Sequence, residues 1–317
     1  MLLPIQYENE MHQEFINLFH ELGLPLHFNH TGNKDFTNYQ RVALIILYYR
    51  SKKTLRDFVK ELKESLWPRW LGLKKVPKKS TLHDWLKLFG MKALRSLHSL
   101  VKPMNVKLAA IDGSGIDSWQ RSRQYERRIG EPLMPYAKID VFIDVETQSI
   151  IDFQLVMCRE HDCKVATKIF KRNSMQNITV LGDGAYDSEA LHRLVRGRGG
   201  KLFAPLRKKK KGSTRKKPKG WYRTMCIELP AFMGQRSIVE TVFSVLKRTQ
   251  IISLRSRKDY MKQREFAWHV ILYNIKRKIR NKKSGETQSI IFLAVQIYVM
   301  PDSAKITKNF IYYIPLG

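Results

Sequence analysis

The sequence predicts an α/β fold, a mixed sheet flanked by helices, with an all-helical region in front of it. Three observations predict it. Up to about residue 100 the apolar residues recur at helical spacing, as in Val42, Ile45, Ile46 and Tyr49 and then Leu55, Phe58, Val59 and Leu62. From Lys107 onward short apolar or alternating runs replace that period, beginning with KLAAID and YAKIDVFIDV. Those runs then alternate with helical segments, the pattern of strands covered by helices.

In chain order, residues 36–49 and 54–66 read as helices. After a Pro-containing connector, Ser80 reads as the N-cap of a helix over 81–89. Residues 54–89 are a candidate helix-turn-helix within a helical DNA-binding domain spanning 1–104. Their connector carries Lys74, Lys75, Lys78 and Lys79. A plain helical bundle would show the same periodicity, and it is the charge that favours DNA. A second domain spans 105–284. It opens with a strand over 107–112, ending on Asp112, and a hairpin of strands 136–145 and 150–158. A helix over 161–172 with Asp162 as its cap follows, then a strand over 177–183, a helix over 187–196 and a short strand over 201–205. Helices over 236–250 and 259–278 close the domain. Residues 285–317 form a tail of unknown role. Its apolar stretch, 290–300, reads either as packing on the core or as read-through sequence of a decayed element.

Charge narrows the partner. Lys and Arg number 58 against 28 Asp and Glu, a formal net charge of +30, with a pI near 10.1. The excess is spread along the chain. Such a chain repels itself until a polyanion neutralises it, and DNA binds by releasing its condensed counterions. A hydrophobic content of 43% speaks against global disorder. Three cysteines make no disulfide framework, the start shows no secretory signal, and 290–300 is about half of the ~20 residues a membrane span needs. The expectation is a cytoplasmic, nucleoid-associated protein with no membrane partner.

Two acids stand where a site would need them. Asp112 is followed at once by Gly113, Ser114 and Gly115, and Asp183 closes an apolar strand before Gly184. Ligands of α/β sheets bind beyond the carboxyl ends of strands, and a carboxylate there calls for a partner, usually a hard cation. Each Asp alone reads equally well as a turn or cap residue. Glu240 adds weight. On a helical wheel at ~100° per residue, Arg236, Ser244 and Lys247 fall within about 40° of it, and apolar residues cover most of the remainder. The stripe suits either solvent or a carboxylate beside phosphates. Asp140 and Asp144 share one side of a strand as spare acids. Cys158, His161 and Cys163 fit no common zinc-finger spacing. Trp119 and Tyr125 either stack on an unpaired base or pack locally. The stretch 207–219 holds nine Lys or Arg, among them Lys208, Lys209, Lys210, Lys211, Lys216 and Lys217. It reads as a DNA-backbone contact or as a solvated loop.

The blocks IDGSG at Asp112, LGDGAYDS at Asp183 and RSIVETVFSVLKR at Glu240, in that order, resemble those of the insertion-sequence DDE transposases in the superfamily of families four and five. REHDCK, with His161 and Asp162, and the pair Tyr273 and Asn274 are similar to the family as well. The resemblance covers about residues 105–280. It implies an RNase H-like fold and a two-metal phosphoryl transfer on DNA, with Asp112, Asp183 and Glu240 as catalytic and metal-binding acids and Mg²⁺, or Mn²⁺, as cofactor. It further implies phosphate contacts by Arg236 and Lys247, support from Tyr186, terminal inverted repeats and target DNA as partners, and a homodimer in a synaptic complex. Met233 departs from the Tyr often found three residues before the Arg; this bears on a phosphate or terminus contact, not on the metal site. The stretch between Lys201 and Arg236 leaves no room for a large strand-rich insertion, and whether hairpin intermediates form stays open. Two other readings stay open: a nuclease of the same fold without strand transfer, and a decayed transposase that only binds DNA.

Overall fold

The computed structural model describes residues 4–22, 25–27, 34–117, 136–158, 160–207 and 218–299. Six helices come first: α1 (Pro4–Leu22), α2 (Asn38–Ser51), α3 (Leu55–Glu64), the single turn α4 (Trp67–Trp70), α5 (Lys79–Leu88) and α6 (Met91–Val101). A capping box opens α2, the Thr37 hydroxyl accepting from the Gln40 amide at 3.1 Å while Gln40 Oε1 accepts from the Thr37 amide at 2.9 Å. Helix α2 is buried on nearly every side, so it lacks the polar stripe of a surface helix. Ser80 is not the N-cap expected of it. The chain leaves Pro77 extended, Lys78 takes the cap position without a side-chain bond, and Ser80 lies inside the first turn. Lys79 and Ser80 are exposed there, so water can satisfy the first amides.

The sheet has five strands in the order β3-β2-β1-β4-β5: β1 (Leu108–Asp117), β2 (Tyr136–Asp144), β3 (Ile150–Val156), β4 (Thr179–Leu181) and β5 (Lys201–Phe203). Strands β1, β2 and β3 pair antiparallel, whereas β4 joins β1, and β5 joins β4, in parallel. Helix α7 (Asp162–Arg172) precedes β4 and helix α8 (Glu189–Gly197) follows it. After β5 come the turn α9 (Trp221–Thr224), helix α10 (Ile238–Val245) and the long helix α11 (Asp259–Val299). This is the mixed, helix-flanked sheet expected, behind N-terminal helices.

Each face of the sheet has its own core. Ala110 and Ile116 of β1 with Ile139, Val141 and Ile143 of β2 pack under the N-terminal helices, α10 and α11. Ala109, Ile111 and Phe142 pack under α7 and α8. The alternation of a strand therefore sends Asp112 and Ser114 to the first face and Gly113 to the second.

The Tyr273 and Asn274 pair has a structural role. Asn274 Oδ1 accepts from the Ile150 amide at 2.9 Å and its Nδ2 donates to the Ile150 carbonyl at 2.8 Å, so one side chain pairs with the start of edge strand β3 as a neighbouring strand would. The Tyr273 hydroxyl donates to the Gln148 carbonyl at 2.9 Å. Helix α11 thus grips the β2–β3 hairpin. Residues Met1–Ile279 form one compact unit and Arg280–Gly317 a second, whose described residues are helical. Among the described residues no helix is long and apolar enough to cross a membrane.

Candidate active site

Asp112 is not the last residue of its strand, as the sequence suggested. Strand β1 runs on to Asp117 because β2 pairs with it along its whole length, Asp112 standing opposite Val141. On its other side β4 pairs only with Leu108, Ala109 and Ala110. The chain turns away after Leu181, and a gap opens beside Asp112 where the sheet changes from antiparallel to parallel, the place where α/β sheets bind ligands. Asp183 stands at the far lip of this gap. Its carboxylate accepts from the Ala185 amide at 2.8 Å and caps the short turn Gly184–Tyr186, so the turn reading and the site reading hold together for this residue.

Glu240 reaches the same place from α10. It lies in the first turn of that helix and remains 62% exposed. Arg236, four residues earlier, donates to Glu240 Oε1 at 3.2 Å and to Asp112 Oδ2 at 3.2 Å, bridging two acids that are far apart in sequence. Burial pushes the Asp112 carboxyl above its usual range; the Gly113 amide at 2.7 Å draws it back, the charges of Asp183 and Glu240 raise it, and Arg236 lowers it. The helix expected over 236–250 is three segments: a 3-10 turn at Ala231–Ser237, α10, and a π turn at Leu246–Gln250. On the π turn Lys247 Nζ donates to Ser114 Oγ at 2.7 Å. The polar stripe of the helical wheel therefore lies over the strand that bears Asp112.

Behind the site, on the opposite face, lies a cluster the sequence hardly showed. Asp140 is fully buried opposite Gly113, with Lys138 Nζ at 3.8 Å and the Tyr186 hydroxyl at 3.4 Å, while Asp140 Oδ2 has no partner among the described residues. Lys138 also pairs with Asp162 and donates to the Glu160 carbonyl at 2.9 Å. A side chain at Gly113 would meet Asp140 Oδ1 at 3.1 Å, so glycine lets this cluster approach β1. Tyr186, expected to support the site, lies on this opposite face with its hydroxyl against Asp140. The alternation of YAKIDVFIDV put Lys138 beside Asp140, but nothing in the sequence marked that face as buried. Asp144 accepts from the Thr147 amide at 3.1 Å and holds the hairpin turn.

Burial pushes the Asp140 carboxyl up to about 7, against the pull of Lys138. The folded state therefore holds this proton to higher pH than the unfolded chain, whose Asp titrates near 3.9. The resulting stabilisation is full below that value and is lost as pH rises through about 7. Asp140→Asn is expected to raise the melting temperature at pH 8 relative to the parent and to change it little at pH 4. Equal shifts at both values would refute the assignment.

Asp162 is not the cap of α7. His161 is: its Nδ1 accepts from the Cys163 amide at 3.3 Å, and Asp162 follows as the first helical residue, turned to Lys138. Cys158 is exposed, and Cys163 Sγ donates to the Ala185 carbonyl at 3.0 Å. Among the described residues no group of three or more His, Cys, Asp or Glu is arranged to hold a metal ion. Lys208, Lys209, Lys210, Lys211, Lys216 and Lys217, like Trp119 and Tyr125, lie outside the described residues.

Residues 107–275, just over half of the chain, match the family described as Transposase DDE domain. The chain belongs to the DDE transposases. No curated protein matches it. Among solved structures it is similar to a cryo-EM structure of the piggyBac transposase synaptic complex with hairpin DNA, at 12% identity and a TM-score of 0.47, over 88% of this chain and 74% of that one. In this transposase the matched segment runs from the start of β1 into α11 and contains Asp112, Asp183 and Glu240. The donor set suits the divalent metal a DDE transposase implies. All three side chains are carboxylates, the oxygen ligands of hard cations, and a guanidinium already supplies positive charge between two of them.

Proposed function

We propose that this transposase cuts the ends of its own mobile element and joins them to target DNA, with Asp112, Asp183 and Glu240 as the catalytic acids. The observation that carries the reading is the Arg236 bridge, which draws an acid of β1 and an acid of α10 together beside the gap where Asp183 stands. Mg²⁺, or Mn²⁺, bound by these three acids would supply Lewis-acid charge for phosphoryl transfer. Arg236 keeps the carboxylates from repelling one another and presents its remaining N–H groups to a scissile phosphate. Lys247, held over β1 by Ser114, places an ammonium at the same opening. Helices α3 and α5 serve as a helix-turn-helix for the terminal inverted repeats, within a DNA-binding domain over 1–104 that precedes the catalytic domain. The support is the outer face of α5, where Lys79, Ser80, His83, Asp84 and Lys87 are exposed over buried Leu82 and Trp85. Lys208, Lys209, Lys210, Lys211, Lys216 and Lys217 add backbone contacts, and two copies synapse two ends.

The test is a labelled duplex carrying the element's ends, incubated with the protein, Mg²⁺ and a target plasmid. The expected result is a nick at the element end followed by joined product. Nicks without joining would replace the reading with that of a nuclease, and binding without nicks with that of a DNA-binding protein.

A further inference from the structure

A small cavity lies past the π turn, outside the three acids. It measures about 190 Å³ and is lined by Lys52, Gln250, Ser253, Arg255 and His269 among others. Lys52 comes from the end of α2, Gln250, Ser253 and Arg255 from the segment after Lys247, and His269 from α11. Two of the residues that line it each carry a buried polar atom without a partner among the described residues: Gln250, 4% exposed, its Oε1, and His269, 5% exposed, its Nδ1. A buried polar atom left unpaired costs about 1–3 kcal/mol, so the arrangement asks for a ligand.

The chemistry of the wall selects an anion. Burial, with the charges of Arg255, Lys276 and Lys52, holds the His269 imidazole down to about 3. It is therefore neutral, and the tautomer with the proton on Nδ1 leaves this lining residue with a donor to spare. A turned Gln250 amide presents its NH₂ there. Ser253 adds a hydroxyl, and Lys52 and Arg255 add positive charge. The carbonyls of Lys52 and Lys53, at the negative end of α2, would repel an anion, but the Arg255 guanidinium caps both. The one acid on the wall, Glu265, is spent on the amides of Arg255 and Ser256 at 2.9 and 2.8 Å.

We infer that this cavity is a phosphodiester site, holding one phosphate of the DNA backbone away from the phosphate being cut. The inference rests on the DNA reading above. Gln250, Ser253 and Arg255 follow Lys247 in the chain, and a phosphate held among them fixes the duplex at a second point, which sets its direction of approach.

Binding of the end duplex is measured across a range of salt for the full chain and three variants. Lys52→Gln is expected to flatten the plot of log K against log salt by about 1, the loss of one phosphate contact. Ser253→Ala removes no charge and is expected to weaken binding about fivefold, the loss of one hydrogen bond. Lys171→Gln, at an exposed position of α7, is expected to do neither. Wild-type affinity in Ser253→Ala, or an equal slope change in Lys171→Gln, overturns the site and leaves the transposase reading standing. A second arm follows the Ser253 backbone amide by NMR while inorganic phosphate replaces chloride at constant ionic strength. A saturable shift that Lys52→Gln abolishes is expected. If the wild type fails to bind the duplex, the DNA reading falls, and this arm decides alone: the shift then makes free phosphate the occupant, and its absence removes the site.

Discussion

Asp183→Asn is expected to lower the rate of end cleavage at least about 10³-fold, or ~4 kcal/mol of barrier, while leaving duplex affinity within about twofold. The choice of asparagine matters. Asp183 has two tasks, a charge in the gap beside β1 and a cap on the Gly184–Tyr186 turn. Asparagine keeps an oxygen for the Ala185 amide and removes only the charge. Asp183→Ala removes both and should also lose about 1 kcal/mol of stability, the usual cost of a missing cap. The pair separates chemistry from folding: both variants should be inactive, and only the alanine variant should melt earlier. An asparagine variant that cuts at the parent rate would dismiss Asp183 from the site.

Asn274→Ala is expected to cost about 3–5 kcal/mol of folding stability, from lost pairing and the cavity it leaves. The residue is fully buried. Removing its amide strands the N–H of Ile150 at the start of an edge strand and takes one of two partners from its C=O, and an unpaired group costs about 1–3 kcal/mol. His98 offers only partial relief. Its Nε2 lies 3.0 Å from the Ile150 carbonyl, but it does nothing for the amide. A urea titration of the variant beside the parent is the check, and a loss below about 1 kcal/mol would show that the strand finds other partners. None of the three proposed acids lies on β3 or α11, so cleavage per folded molecule should stay near the parent value.

Both residues bear on how far the sequence speaks for itself. The acids were legible because each block joins a carboxylate to a local signature, glycines after Asp112 and Asp183 and a polar stripe around Glu240. The sheet was legible because apolar runs and helical periods alternate. What could not be read was pairing at long range. Strand β1 outlasts Asp112 only because β2 runs beside it, and no residue after Asp112 announces that. Asn274 could be matched to a family pair, yet its grip on Ile150 exists only once α11 crosses the hairpin. The cluster of Lys138, Asp140 and Asp162 stayed obscure for the same reason. Alternation put Lys138 and Asp140 on one face, but a Tyr from beyond β4 and a helix start from beyond β3 are what bury them. Caps were the least legible, since Lys78 holds its cap by backbone position alone and His161 caps with a ring nitrogen, where Ser80 and Asp162 were expected to cap with oxygens.

The placement of β1 between an antiparallel and a parallel neighbour also bears on when the proposed site is assembled. Strands β1, β2 and β3 are close in sequence and can pair as soon as they leave the ribosome. Strand β4 must wait for α7, and Glu240 arrives only after β5 and the segment beyond it. Long-range pairings of this kind form late, and a chain emerging residue by residue gains them last. A nascent or truncated transposase that stops before α10 carries a folded hairpin and two acids but no Arg236 bridge. The order of synthesis itself thus withholds the third proposed acid until α10 has emerged.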